Sequence, residues 1–150
     1  LDIAQTVAGR STCLRRCYGA IIVKNDEIVA TGYNGAPRGR RNCTDLGYCT
    51  REALQVPSGQ RYELCRSVHA EANAIISAAR SEILGGTLYL AGRDAKTGEL
   101  LGDATSCSMC RRLIINAGIC RVVIRRTPAE YAVVHVEDWI REDDSLPDGL

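Results

Sequence analysis

Apolar positions along this chain fall into short runs of two different periods, separated by clusters of Gly, Pro, Asn and Asp. Ile3 and Val7, with Ala4 between them, have a helical spacing that predicts a helix from Leu1 to about Arg10. Tyr18 to Lys24 is a compact β-branched run, Asn25 and Asp26 supply turn chemistry, and Glu27 to Tyr33 reads as a second strand; together they predict a hairpin. From Asn34 to about Gln60 no period is sustained, which predicts a long loop with one short helix near Thr50 to Leu54. A loop of that length inside a compact domain is usually functional or pinned by a metal.

His69 to about Ser81 sets Ala and Ile at helical spacing before Gly85 and Gly86. Thr87 to Ala91 reads as a short buried strand, Cys107 to about Ala117 as a second helix stopped at Gly118, and Arg121 to Arg125 as another strand. Tyr131 to Val136 follows after too few residues for a parallel crossover, so it is expected to pair antiparallel to the strand before it. Asp138 to Leu150 is acidic and predicts a short helix and a loose tail. Strands alternating with helices argue for α/β layers, with an antiparallel opening pair and parallel neighbours elsewhere in the sheet.

The 150 residues, 45% hydrophobic and 25% charged, fit a single globular domain over 1–150. The apolar runs fall far short of the ~20 residues of a membrane span. No charged-then-apolar signal segment opens the chain, so the expectation is a cytoplasmic protein without a membrane partner. A net charge of +1 gives no whole-molecule attraction to a nucleic-acid polymer. Among the 19 basic residues only Lys24 and Lys96 are lysine. Arginine's planar fork suits phosphate, although lineage bias accounts for the excess equally well. Eight cysteines without an export signal point to metal binding or catalysis before disulfides.

The chemistry concentrates in His69, Glu71, Cys107 and Cys110. One histidine and two cysteines make a three-ligand zinc set that keeps a coordination position for water, and water implies hydrolysis. Residues two apart on a helix differ by roughly 200° about its axis. His69 and Glu71 can therefore share a pocket only at a helix start, where the partial positive charge favours thiolate, hydroxide and carboxylate. Cys107 and Cys110, three apart, share a face, and Ser106 before them is a good N-cap. Read alone, His69 is a core histidine and the Cys-x-x-Cys pair a redox dithiol; the zinc reading gives all four residues a role.

These residues also carry a resemblance. His69-Ala70-Glu71 with Asn73-Ala74, and Cys107 to Ile119, resemble the two motifs of the zinc-dependent cytidine/deoxycytidylate deaminase superfamily. Arg10 to Arg16 and Gly32 to Gly39 resemble segments of its deoxycytidylate (dCMP) deaminase branch. The resemblance spans about residues 1 to 125 and implies a three-layer α-β-α sandwich around a mixed five-stranded sheet. Two features depart from the family's pattern. Ser106 stands where proline is usual, and Gly92 to Thr105 intervene before the cysteine motif, with a turn at Lys96-Thr97-Gly98, as a segment that would cover the pocket or meet a neighbouring subunit.

The resemblance implies hydrolytic deamination of dCMP to dUMP with release of ammonia. His69, Cys107 and Cys110 would hold the catalytic zinc, and Glu71 would carry protons. The Ala70 backbone would bind the base, Asn34 the sugar and Arg10 the phosphate, with Arg38, Arg40 and Arg41 as alternatives. Cys13, Cys43, Cys49 and Cys65, with Cys17 as substitute, would close a second, structural zinc site; scattered free thiols are the other reading. A homo-oligomer, hexamer or dimer, is implied as well. The rival readings are another deaminase of the superfamily, acting on CMP, cytidine, guanine, a riboflavin precursor or tRNA adenosine, and a zinc-stabilised regulatory protein without catalysis.

Overall fold

The structure, a computed structural model, describes residues 1–142. Its elements are α1 (Asp2–Ala8), β1 (Arg16–Lys24), β2 (Glu27–Tyr33), α2 (Cys43–Leu46), α3 (Thr50–Ala53), a 3-10 turn at Tyr62–Leu64, α4 (Ala70–Ile76), α5 (Arg80–Ile83), β3 (Thr87–Asp94), α6 (Ser108–Asn116), β4 (Arg121–Arg125), β5 (Tyr131–His135) and α7 (Val136–Glu142). The short final helix is present as expected; the loose tail expected after it lies outside the described residues.

The five strands form one sheet in the order β2-β1-β3-β4-β5. β1 is antiparallel to β2 and β3, β3 is parallel to β4, and β5 returns antiparallel to β4 as its short connection requires. The hairpin closes through Asn25 and Asp26, both in the left-handed region (φ 52° and 62°), the geometry that matches the twist of paired strands.

Alternation along the strands creates two packing faces. Ala20, Ile22, Leu88, Leu90, Val122 and Ile124 meet Ala70, Ala74 and Ile114 in the main core, while Ile21 and Ala91 pack against Ala4 on the other side. The result is α4 and α6 on one face and α1 on the opposite face, the three-layer arrangement.

Two glycines let the helices approach the sheet closely. A Cβ at Gly19 would lie 2.0 Å from the Ala4 carbonyl oxygen, and one at Gly32 would lie 2.3 Å from that of Ala70 and 2.4 Å from the Ala74 nitrogen. Gly32 thus fixes the height of α4, whose first turn carries His69 and Glu71. Gly32→Ala is expected to destabilise the fold by about 1–3 kcal/mol, the usual cost of overpacking, and to weaken metal retention; urea unfolding and zinc content measured together check both.

Several boundaries differ from expectation. The helix expected over His69 to Ser81 is two helices: Ser77 closes α4, its backbone N–H and Oγ both donating to the Asn73 carbonyl (3.1 and 2.7 Å), and Ala79 is extended (ψ 144°) before α5 begins. The irregular segment holds α2 as well as α3, with Asn42 and Asp45 forming a reciprocal capping box. β3 continues past Ala91 to Asp94, whose carboxylate accepts from the Lys96 and Thr97 backbones at 2.8 and 2.9 Å. The Gly92 to Thr105 segment is therefore a hairpin that returns along β3 through the Arg93–Leu100 bridge.

Candidate metal centre and substrate cavity

Both motifs use the same local device. His69 is the extended N-cap of α4 (φ −69°, ψ 155°) and Glu71 lies in that helix's first turn. Cys107 is the extended N-cap of α6 (φ −68°, ψ 166°), with Cys110 on the first turn. The N-cap geometry removes the 200° conflict between His69 and Glu71. It also moves the expected cap by one residue: Cys107, not Ser106, precedes α6, and the Ser106 hydroxyl makes no capping bond.

His69 Nδ1 lies 3.4 Å from both Cys107 Sγ and Cys110 Sγ. A tetrahedral zinc with metal–sulfur and metal–nitrogen bonds of about 2.3 and 2.0 Å requires nitrogen–sulfur separations of about 3.5 Å, so the trio already has the span of a zinc site. Among the described residues it is the one group of three or more such ligand atoms gathered within 4.8 Å.

Without a metal the trio shares protons. The Cys107 and Cys65 thiols beside His69 raise its imidazole to about 10. Hydrogen bonding from Cys110, aided by His69, holds Cys107 down to about 4. The Cys107 thiolate and burial in turn push Cys110 well above the usual thiol range. Glu71 is 4% exposed, and its burial raises the carboxyl above its ordinary value against the lowering influence of His69 and Ser106.

A cavity of about 110 Å³ opens over His69, Glu71 and Cys107, walled by Asn34, Tyr62 and Thr105. An outer cleft of about 570 Å³ adjoins it, with Arg16, Tyr62 and Thr105 common to both and Asp103 and Arg112 on its wall. Asp103 to Ser106 thus bring the end of the inserted hairpin to the entrance.

Residues outside the two motifs also build the site. Tyr62 packs edge-on against the His69 ring at 5.3 Å, and the Arg51 guanidinium covers Tyr62 at 4.5 Å. Arg51 is buried in α3 and donates to the Gln60 carbonyl at 3.1 Å. This stack ties the irregular segment to His69, yet nothing periodic in the sequence marks it. Tyr18 reaches the cavity from β1. Burial raises its phenol, opposed by a hydrogen bond from Arg16.

Asn34 also lines the cavity, but much of its amide is committed. Oδ1 accepts from the Tyr18 backbone and Nδ2 donates to the Arg16 carbonyl, both at 2.8 Å. Arg10, after α1, is exposed and does not line the cavity; Arg38, Arg40 and Arg41 are exposed too. Arg15 and Arg16 line the cavity instead, and Arg15 is paired with Glu52 at 2.9 Å. The four N-terminal thiols share a region, since Cys43, raised by burial, feels Cys13, Cys65 and Cys49. Their sulfurs are not gathered as closely as the main trio, and Cys65 also interacts with the His69 ring.

A family model described as the cytidine and deoxycytidylate deaminase zinc-binding region matches residues 1–126. The chain belongs to this zinc-binding deaminase family. Within it, deoxycytidylate deaminase of Mycobacterium phage D29 is 38% identical over 128 residues, covering 82% of this chain and 88% of that protein. The deoxycytidylate deaminase of Schizosaccharomyces pombe is 34% identical over 123 residues, again 82% of this chain but 34% of that protein. The chain therefore spans about a third of the yeast relative's length. The solved dCMP deaminase of cyanophage S-TIM5 in apo form has a TM-score of 0.59 at 26% identity, covering 94% of this chain and 86% of that one. The same phage enzyme in complex with dCMP and dUMP gives 0.56 at 28% identity over 83% and 76%. Among the described residues, no helix is long and apolar enough to cross a membrane.

Proposed function

We propose that this protein is a zinc-dependent hydrolase converting dCMP and water to dUMP and ammonia, with residues 1–150 as a single deaminase domain. One observation carries the reading: the buried Glu71 carboxyl sits beside the His69, Cys107 and Cys110 trio at the end of a small cavity. The phage enzyme whose structure holds dCMP and dUMP supports the choice of base and sugar.

His69 Nδ1 and the two cysteine sulfurs would hold the metal. When bound there, zinc supplies Lewis acidity that makes water a nucleophile near neutral pH. Glu71 takes the proton from the attacking water on a carboxylate oxygen and delivers it to N3 of the cytosine, which makes C4 electrophilic, and the deprotonated water oxygen bonds to C4. The second proton passes through the same carboxylate to the departing amine, so ammonia leaves and the C4 oxygen remains as the uracil carbonyl. Burial, which raises the Glu71 carboxyl, suits a group that must hold a proton between two transfers.

The Ala70 N–H belongs to the first turn of α4, where helical donors have no intrahelical partner, and it donates to the base. Asn34 retains a second amide hydrogen for a sugar hydroxyl. Arg16, at the junction of the cavity and the outer cleft, takes the phosphate in place of Arg10. The same reading gives a cytoplasmic protein and a homo-oligomer, dimer or hexamer; the exposed Ile76 (74%) and Tyr131 (62%) support the assembly.

The substrate is tested by following ammonia release from dCMP, CMP, deoxycytidine and cytidine side by side, with wild type and Arg16→Gln. Wild type is expected to prefer dCMP. Arg16→Gln is expected to raise KM for dCMP about tenfold or more, as for loss of a charge-assisted contact, and to leave deoxycytidine turnover unchanged. Equal use of unphosphorylated substrates by wild type would refute the nucleotide assignment.

A further inference from the structure

Ser106 is 1% exposed, and its Oγ makes no hydrogen bond to any group among the described residues. A buried hydroxyl without a partner is unfavourable, and sites that keep one generally use it. Its backbone role is separate, because the Ser106 carbonyl accepts from Arg111 Nε at 3.1 Å. Helix capping does not account for the hydroxyl either, since α6 begins after Cys107. Two side chains lie near enough to the Glu71 carboxyl to influence it: the Cys110 thiol and the Ser106 hydroxyl. A cysteine that ligates a metal is a thiolate and has no proton to donate. Of these two neighbours, Ser106 is the one that keeps a proton to donate to Glu71 in the metal-loaded site.

We infer that Ser106 is a positioning residue whose hydroxyl donates to one carboxylate oxygen of Glu71 and fixes the other toward the reacting water and base. The packing supports the geometry. Glu71 rides on the first turn of α4, Ser106 lies two residues before the start of α6, and these helices pack against each other. A short rigid serine between them sets the carboxylate's rotation without contacting the substrate. The inference rests on the proposed deaminase reading and names a part of the same site.

The test compares wild type with Ser106→Ala and Ser106→Thr. For Ser106→Ala we expect kcat on dCMP to fall about tenfold, at the lower end of what removing an outer-shell partner costs. KM, the dUMP dissociation constant measured by calorimetry, and one zinc per chain should stay unchanged. Ser106→Thr, which keeps the hydroxyl, should keep kcat near wild type. In a crystal structure of the zinc-loaded protein, Ser106 Oγ should lie within about 3.0 Å of a Glu71 oxygen. An alanine variant with wild-type kcat, a loss of kcat that follows loss of zinc, or a separation beyond about 3.5 Å overturns the inference. Failure of wild type to deaminate any cytosine nucleotide would instead remove the proposed function, while the crystallographic distance would still decide whether Ser106 holds Glu71.

Discussion

Glu71→Gln is expected to lower kcat on dCMP by about 10² to 10⁴-fold while leaving zinc content at the wild-type level. Glutamine preserves the size of the side chain and can still hydrogen-bond, but it cannot accept a proton from water or return one to the base. KM should change little, because the cavity is walled by residues that the substitution does not touch. The metal-free variant is also expected to melt no lower than metal-free wild type at pH 7. Burial raises the Glu71 carboxyl above its ordinary 4.5, so the folded state holds this proton more tightly than the unfolded chain does. Stability from that proton is complete below pH 4.5 and is lost as pH rises through the folded value; a neutral glutamine escapes the loss. Full activity of Glu71→Gln would rule out the proton shuttle.

The second large effect concerns the metal. Cys110→Ser removes a thiolate from a three-ligand site, and zinc affinity is expected to fall by more than about 100-fold, the upper end of what loss of an outer-shell partner costs. Activity should fall with it. The wild-type site has a measurable signature of its own. At pH 7 the metal-free His69, raised to about 10, is protonated, Cys110 is a thiol, and Cys107, held to about 4, is already a thiolate. Zinc requires all three deprotonated, so uptake should release about two protons per ion. Calorimetry in buffers of different ionisation enthalpy reads that number directly. Release of no protons would mean that the trio is not the binding site.

The sequence was most legible where one residue type had one physical use. The β-branched runs marked β1, β2 and β4, and the few residues between β4 and β5 dictated their antiparallel pairing. His69 and Glu71 could share a pocket only from a helix start, and the structure sets His69 at the N-cap. Legibility failed where the chain departs from its local pattern or depends on distant partners. The pattern over His69 to Ser81 looks continuously helical, yet Ala79 is extended between α4 and α5. Arg51 and Tyr62 are buried against His69 through a segment with no period to read. Ser106 looked like a helix cap because it precedes Cys107, and only the three-dimensional start of α6 frees its hydroxyl for another use. Arg10 and Arg16 both belong to one arginine-rich segment; the fold decides which of them reaches the cavity.

The central claim is that His69, Cys107 and Cys110 hold a zinc ion that, with Glu71, deaminates dCMP. The most direct measurement is conversion of dCMP to dUMP, with matching ammonia, by protein first stripped of metal and then titrated with zinc. The stripped protein should show no turnover, and activity should rise linearly to a plateau at one zinc in this site per chain. Turnover that is undiminished after zinc removal, or its absence in fully loaded protein, would contradict it.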